Sequence, residues 1–142
     1  MQPIPYVFFR DCRCAEAMTE YARILDLAPP DLVPFSLLPP GAAGGLDTAT
    51  IPKHAVMHAA LKVGDGWIYG SDDPAGETSA MAGVNIYIAL PTVEKARPVF
   101  DALMEGGEIR MDLAPTSWAE AYGAGTDRWG TRWMISVNRP QA

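Results

Sequence analysis

The order of predicted elements constrains this fold more than any other feature, because the same order occurs twice. Each half of the 142-residue chain reads as a strand, an amphipathic helix and three further strands. In the first half these elements are predicted at positions 4–10, 14–25, 32–38, 55–63 and 67–71. In the second half they are predicted at positions 83–90, 93–105, 108–113 and in the two arms of a hairpin within 115–137. One helix covers only one face of a sheet, so each half needs a further partner for its other face.

The repeat predicts a single domain, 1–142, that is built from two modules. The first module spans 1–72 and the second spans 83–142, and a polar segment with Gly and Pro at 73–82 links them. A chain of this length fits one domain with a substantial core.

Several residues predict where the elements begin and end. Asp11 precedes the first helix and is expected to be its N-cap. Pro34 confines its strand to a sheet edge, and Gly106 with Gly107 is expected to cap the second helix. Pro98 lies inside that helix, where it removes a backbone hydrogen bond at a cost of about 3 kcal/mol. We therefore expect the helix to kink at Pro98 or to begin close to it.

The charge and hydropathy of the chain exclude several classes of partner. The net charge is -6, and no cluster of Lys and Arg interrupts it, which argues against nucleic acid and anionic membranes as partners. No apolar run approaches the roughly 20 residues that a membrane helix needs. The N-terminal residues lack the basic segment of a signal peptide, so we expect a cytoplasmic protein.

The two cysteines, Cys12 and Cys14, are too close in sequence for an unstrained disulfide. Free thiols suit a reducing compartment. We interpret both cysteines as small structural residues at the start of a helix. There is no CxxC spacing, which argues against a structural zinc site. The glycine-rich segment at 39–52 does not match a phosphate-binding loop and is interpreted as a mobile loop at a pocket rim.

The stretch PTSWAEAYGAGTDRWGTRWMISV, at 115–137, contains three of the four tryptophans. It predicts a hairpin whose tight turn spans Asp127 to Thr131, because Asp favours turn starts and Gly130 supplies a left-handed angle. Trp133 then lies on the same strand face as Ile135 and is expected in the core.

The doubled βαβββ pattern resembles the vicinal oxygen chelate superfamily, which includes glyoxalase I, extradiol dioxygenases and bleomycin-resistance proteins. The segments PYVFFRDC, AEAMTEYARIL, VMHAALKVGDGWIYGSD, RPVFDALMEGGEIRM and TDRWGTRWMISV resemble its PhnB-like branch, also labelled 3-demethylubiquinone methyltransferase-like. The resemblance implies an α+β fold in which two βαβββ modules form a half-barrel around a cavity. The methyltransferase label finds no support, because no glycine-rich strand-to-helix turn is present.

The resemblance also implies where a divalent metal would bind. The ligand positions of metal-dependent members fall near Pro5, at Tyr69 or Gly70, near Asn85 and near Met134. None of these residues is a good ligand, since such metals need imidazole or carboxylate. We therefore predict no metal centre and no cofactor. A divalent metal held by other residues belongs to the alternative in which the protein is a glyoxalase- or dioxygenase-type enzyme.

His58 is the one candidate for catalysis. It lies within a predicted strand, and histidine is the side chain that most often serves as an acid or base in catalysis. The alternative is a satisfied core or surface histidine. The branch reads HAEL where this chain has His58 and Ala60, so an acid of the relatives is missing on the His58 face.

The predicted ligand-binding residues lie on the strands and at the rim of the implied pocket. Asn85 and Tyr87 are expected to share one face of the fifth strand, and Trp118 with Tyr122 suits a planar or apolar ligand. The full set is Tyr69, Asn85, Tyr87, Trp118, Tyr122 and Met134. The alternative for the aromatic residues is packing at a subunit interface.

These features predict a protein that binds a small organic molecule in a pocket between the modules, as a homodimer. Whether it is an enzyme stays open. One alternative is the metal-dependent enzyme, and the other is a metal-free lyase or isomerase that uses His58 as acid and base.

Overall fold

The computed structural model describes residues 1–39, 41 and 47–140, and it confirms the predicted α+β fold with two βαβββ modules. The chain divides into two compact units, Met1–Ser79 and Ala80–Ala142. The first unit contains β1 (Tyr6–Phe9), α1 (Cys14–Ile24), β2 (Asp31–Pro34), β3 (Val56–Val63) and β4 (Gly66–Asp72). The second contains β5 (Ile86–Ala89), α2 (Val93–Met104), β6 (Glu108–Ala114), β7 (Ala119–Thr126) and β8 (Arg132–Asn138). In the described part of the chain, no helix has the length and apolar character to cross a membrane.

Each unit forms a four-stranded mixed sheet with the same connectivity. The strand orders are β1-β4-β3-β2 and β5-β8-β7-β6. In both sheets the first strand pairs in parallel with the last, and the other pairs are antiparallel. The strand that contains Pro34 is at a sheet edge, as predicted. Positions 40 and 42–46 of the predicted glycine-rich rim loop lie outside the described residues.

One face of the first sheet packs against α1. The apolar stripe of the helix is fully buried at Met18 and Tyr21 and nearly so at Ala22, as its spacing predicts. Phe9 and Leu61 oppose it from the sheet and are also buried. Alternation along each strand therefore directs the intervening side chains to the opposite face.

A carboxylate distant in sequence, and not Asp11, accepts the free N–H at the start of α1. The N-cap position belongs to Arg13, which makes no side-chain cap, so the prediction for Asp11 was wrong. The Cys14 N–H instead donates to Asp72 Oδ1 at 2.9 Å, and the Val56 N–H donates to Asp72 Oδ2 at 2.7 Å. Asp72 is only 3% exposed, and its two hydrogen bonds join the end of β4 to the start of α1 and the start of β3.

The second helix begins five positions before Pro98. Thr92 caps it by accepting the Lys95 N–H at 3.2 Å, so of the two expectations for Pro98 a helix start close to it is excluded and a kink stays a prediction. The proline lies on the exposed side of the helix, where water can bond the carbonyl that loses its partner. Gly106 ends the helix with φ 76, as predicted.

Small residues on β7 allow α2 to lie close to the second sheet. Ala119 and Ala121 face the helix and are buried. Gly123 follows on the same face, and a Cβ there would lie 2.7 Å from the Phe100 ring. The alternation of small with larger residues in AEAYGAGT therefore reflects helix packing.

A buried carboxylate organises the β7–β8 turn. Asp127 Oδ1 accepts the N–H groups of Trp129 at 2.9 Å and Thr131 at 3.0 Å, and Oδ2 accepts the Trp133 Nε1–H at 2.8 Å. Asp127 is 3% exposed and Trp133 is fully buried. The predicted turn and the core position of Trp133 are confirmed, and Asp127 links the two.

We predict that Asp127→Ala lowers the free energy of unfolding by about 3 kcal/mol, because it leaves buried donors without an acceptor. Asp127→Asn should cost less, since its one remaining oxygen still accepts the turn N–H groups. Urea unfolding of both variants gives the comparison. Asp101→Asn is the control, because this carboxylate is exposed and its 3.7 Å distance to Arg97 is that of a weak ion pair. Equal unfolding free energies for Asp127→Ala and the control would contradict the role of Asp127.

Candidate functional site

The face of the first sheet opposite α1 holds a group of aromatic side chains, which we call the aromatic face. The strand register places Tyr6 beside Tyr69, and Lys62 beside Trp67. His58 lies on the neighbouring β3 strand, two positions from Ala60, which is the partner of Tyr69. The members of the aromatic face are Tyr6, Phe8, His58, Trp67 and Tyr69.

The rings of the aromatic face contact one another. The His58 and Tyr69 ring centroids are 4.9 Å apart in an edge-to-face arrangement. Tyr6 lies 5.7 Å from His58 and 5.2 Å from Phe8, while Trp67 lies 6.1 Å from Tyr69. Edge-to-face and tilted contacts at these distances stabilise aromatic pairs beyond the area they bury. The face is therefore a preformed surface of rings.

A hydrogen bond of 3.0 Å joins the Tyr6 hydroxyl to His58 Nδ1. Burial raises the pKa of the Tyr6 phenol above its ordinary value, so near neutral pH this hydroxyl keeps its proton. It can then donate to Nδ1, which leaves the Nε2–H of a neutral His58 as a donor at the surface. The bond orients the one histidine that the sequence singles out.

The predicted residues of the second unit lie on the face of its sheet opposite α2. Tyr87 aligns with Met134, and the Tyr87 hydroxyl donates to Asn138 Oδ1 at 3.0 Å. Asn85 lies one residue before β5, so the strand that was predicted to include it begins at Ile86. The Asn85 oxygen accepts from Arg110 at 3.0 Å.

Trp118 and Tyr122 also contact each other. Their ring centroids are 5.8 Å apart, and Trp118 is 64% exposed. Tyr122 aligns with Ser136 on β8, which places it on the face opposite α2. These two aromatic residues form a smaller pair at the start of β7.

Known structures share the architecture of the whole chain. Protein PA1353 from Pseudomonas aeruginosa is 30% identical, with a TM-score of 0.84 and coverage of 99% of both chains. The PhnB protein from Bacillus cereus is 18% identical, with a TM-score of 0.75 over 96% of this chain and 99% of its own. Glyoxalase and bleomycin-resistance proteins share the fold at lower TM-scores. This chain belongs to the vicinal oxygen chelate superfamily.

A curated relative matches this chain along nearly the full length of both proteins. Protein YjdN from Escherichia coli is 28% identical over 141 residues, which is 96% of this chain and 95% of that protein. No family model matches the sequence.

The residues at the ligand positions of this superfamily do not fit a divalent metal. The amide oxygen of Asn85 already accepts from the Arg110 guanidinium, and a second cation beside it would be repelled. Within residues 1–39, 41 and 47–140, no three His, Cys, Asp or Glu side chains form a group that could hold a metal ion. The donor set therefore offers no basis for a metal-dependent step.

Tyr6, Phe8 and Trp67 are not among the residues that the sequence predicted for the site. The alternation of YVFF on β1, with Val7 and Phe9 buried against the helix, leaves Tyr6 and Phe8 on the opposite face. That alternation was visible in the sequence. What it does not show is that β1 pairs with β4, which is what brings Tyr6 to Tyr69.

Neither cysteine has the character of a nucleophile. Cys14 is fully buried. Burial, together with the negative charge of Asp72, raises the pKa of the Cys14 thiol to about 12. Burial and the neighbouring carboxylates of Asp72, Asp11 and Asp73 also raise the pKa of the Cys12 thiol. A raised pKa leaves little thiolate, which is the reactive form.

We predict that Cys14 does not react with Ellman's reagent in the native protein at pH 8. With a pKa of about 12, only roughly one Cys14 thiol in 10,000 is ionised at that pH. A Cys12→Ser variant should therefore show no native thiol and one thiol after unfolding in urea. Rapid native labelling of that variant would contradict the buried position of Cys14, and Cys14→Ser reports Cys12 alone.

Proposed function

We propose that this protein binds a small planar organic molecule on the aromatic face, without a resident metal. The observation that supports this most is the row of contacting rings whose outer members stay open to solvent. Tyr6 is 43% exposed and Phe8 is 52% exposed, although both lie on a sheet strand. Grouped exposed apolar side chains of this kind mark ligand or partner sites in soluble proteins.

The geometry of the rings suits a flat ligand. An aromatic guest can stack on Tyr69 or Phe8 while its edge meets a neighbouring ring, and each such pair adds about 1 kcal/mol. The Nε2–H of His58 would supply a directed hydrogen bond to an acceptor on the guest. Lys62, exposed beside Trp67, adds a positive charge near the end of the face.

A second candidate is a metal-free lyase or isomerase in which His58 moves a proton of the bound molecule. The 3.0 Å bond between the Tyr6 hydroxyl and His58 Nδ1 supports it in the other tautomer, in which Nδ1–H donates to the hydroxyl oxygen and Nε2 keeps the lone pair that a general base needs. Ala60 provides no carboxylate where the branch has one, so the proton would pass through His58 alone. A turnover assay separates the candidates: the first predicts binding without conversion, weakened in His58→Ala by the lost hydrogen bond, and the second predicts conversion by the unmodified protein and none by His58→Ala.

Other parts of the sequence interpretation stay predictions. These are the placement of the ligand between the modules, the homodimer, the cytoplasmic location and the division into modules and linker. Each needs a measurement on the protein in solution.

We predict that indole, quinoline or phenol raises the melting temperature of the protein, while cyclohexanol, the saturated counterpart of phenol, does so much less. A ligand that binds the native state stabilises it by RT ln(1 + [L]/Kd). Tyr69→Ala should weaken the binding of the best planar compound about tenfold, because it removes a stacking and edge contact. Thermal shift and isothermal calorimetry measure the two effects.

The matched control for Tyr69→Ala is Leu37→Ala, which removes an apolar side chain that is 72% exposed and outside the aromatic face. It should leave the dissociation constant unchanged. Equal loss in the two variants, or equal stabilisation by planar and saturated compounds, would overturn the proposal.

A further inference from the structure

We propose that the second sheet has an oxyanion site, formed by the guanidinium groups of Arg110 and Arg132, that binds the carboxylate or phosphate of a small molecule. The site lies on the face of the sheet opposite α2. It is argued from observations separate from the aromatic face and does not depend on the function proposed there.

A β-bulge directs Arg110 onto this face. The register of β6 against β7 shifts between Ile109 and Met111, so Arg110 is the extra residue. Its side chain donates to Thr126 Oγ1, to the Gly125 carbonyl at 3.1 Å and to Asn85 Oδ1 at 3.0 Å. All three acceptors are neutral, so they orient the guanidinium without neutralising it.

A second guanidinium lies at the same end of the sheet. Arg132 aligns with Thr126 across the β7–β8 pair, and its Nε–H donates to the Val84 carbonyl at 3.1 Å. Thr126 therefore has Arg110 bonded to its hydroxyl and Arg132 as its cross-strand neighbour. Nε of Arg110 and both terminal nitrogens of Arg132 donate to no other group in the described part of the chain.

The two guanidinium groups have no counter-charge, which in the described part of the chain is also true of Arg10, Arg128 and Arg139. Arg13, Arg23 and Arg97 each form an ion pair with a carboxylate. Among the residues that the structure describes, Arg110 and Arg132 have no carboxylate within 4.0 Å. Glu108 aligns with Thr126 but is exposed and pairs with neither, in a protein whose net charge is -6. Two oriented guanidinium groups without an acid match the fork geometry that carboxylate and phosphate recognition uses.

The rest of the face indicates what else the ligand contains. Ala124 lies two residues before Thr126 on the same face of β7 and aligns with Met134, so the surface next to the arginines is apolar. Tyr122 comes next, about 13 Å along the strand from Thr126 at the usual rise per residue. An anion with a compact apolar body would contact Ala124 and Met134 while its charged group meets the arginines.

The test uses ¹⁵N–¹H NMR titrations of the whole protein with inorganic phosphate, benzoate and the neutral analogue benzyl alcohol. We expect phosphate or benzoate to shift the Arg110 Nε–H and the Thr126 amide in a saturable manner that weakens with added salt. Benzyl alcohol should bind at least about tenfold more weakly than benzoate, since it lacks the charge. Tighter binding of phosphate indicates a phosphorylated ligand, and tighter binding of benzoate indicates a carboxylate.

Arg110→Met should weaken the better anion at least about tenfold, and Arg110→Lys should give an intermediate value because it keeps the charge but not the fork. Arg97→Met is the control, since it removes the same charge from α2 on the opposite side of the same sheet. Equal binding of benzoate and benzyl alcohol together with no response to phosphate would overturn the proposal. An equal loss of anion affinity in the Arg110→Met and Arg97→Met variants would also overturn it. If Arg110→Met is unfolded, Arg132→Met decides between the same outcomes.

Discussion

One helix packs against one face of each four-stranded sheet, and the chemistry of this protein depends on that constraint. The covered faces are apolar, and their largest side chains, such as Trp133 and Tyr21, are fully buried. The opposite faces hold His58 with its neighbouring rings in the first unit and Arg110 with Arg132 in the second. Successive side chains of a strand point to opposite faces of the sheet. The neighbours of each residue that packs against a helix therefore lie on the open face, where a ligand can bind.

Two buried carboxylates fix these faces in place. Asp72 accepts backbone N–H groups from α1 and β3, and Asp127 accepts two from its own turn and one from Trp133. Burial raises the pKa of Asp72 despite the N–H donors that lower it, so folding incurs a cost to keep this acid charged. Both acids act as structural acceptors. The groups available for recognition are then His58 with its rings in the first unit and the two arginines in the second.

The sequence predicted the order of elements, the Asp127 turn and the buried stripe of α1, because each rests on local spacing. It failed where the partner is distant in sequence. Asp11 has the right spacing for an N-cap, yet Asp72 accepts the helix N–H because β4 ends beside it. Arg110 showed no signal, because a bulge appears only once β6 is paired with β7. Pro98 is tolerated inside its helix at an exposed position, which periodicity alone does not reveal.

Binding of a planar molecule to the aromatic face is tested by locating that molecule on the protein in solution. Intermolecular nuclear Overhauser effects from bound indole to the ring protons of the protein report that position. We expect contacts to Tyr6, His58 and Tyr69, whose rings lie together on the aromatic face. Contacts only to Trp118 and Tyr122, or saturable binding with no contact to the aromatic face, would contradict this expectation.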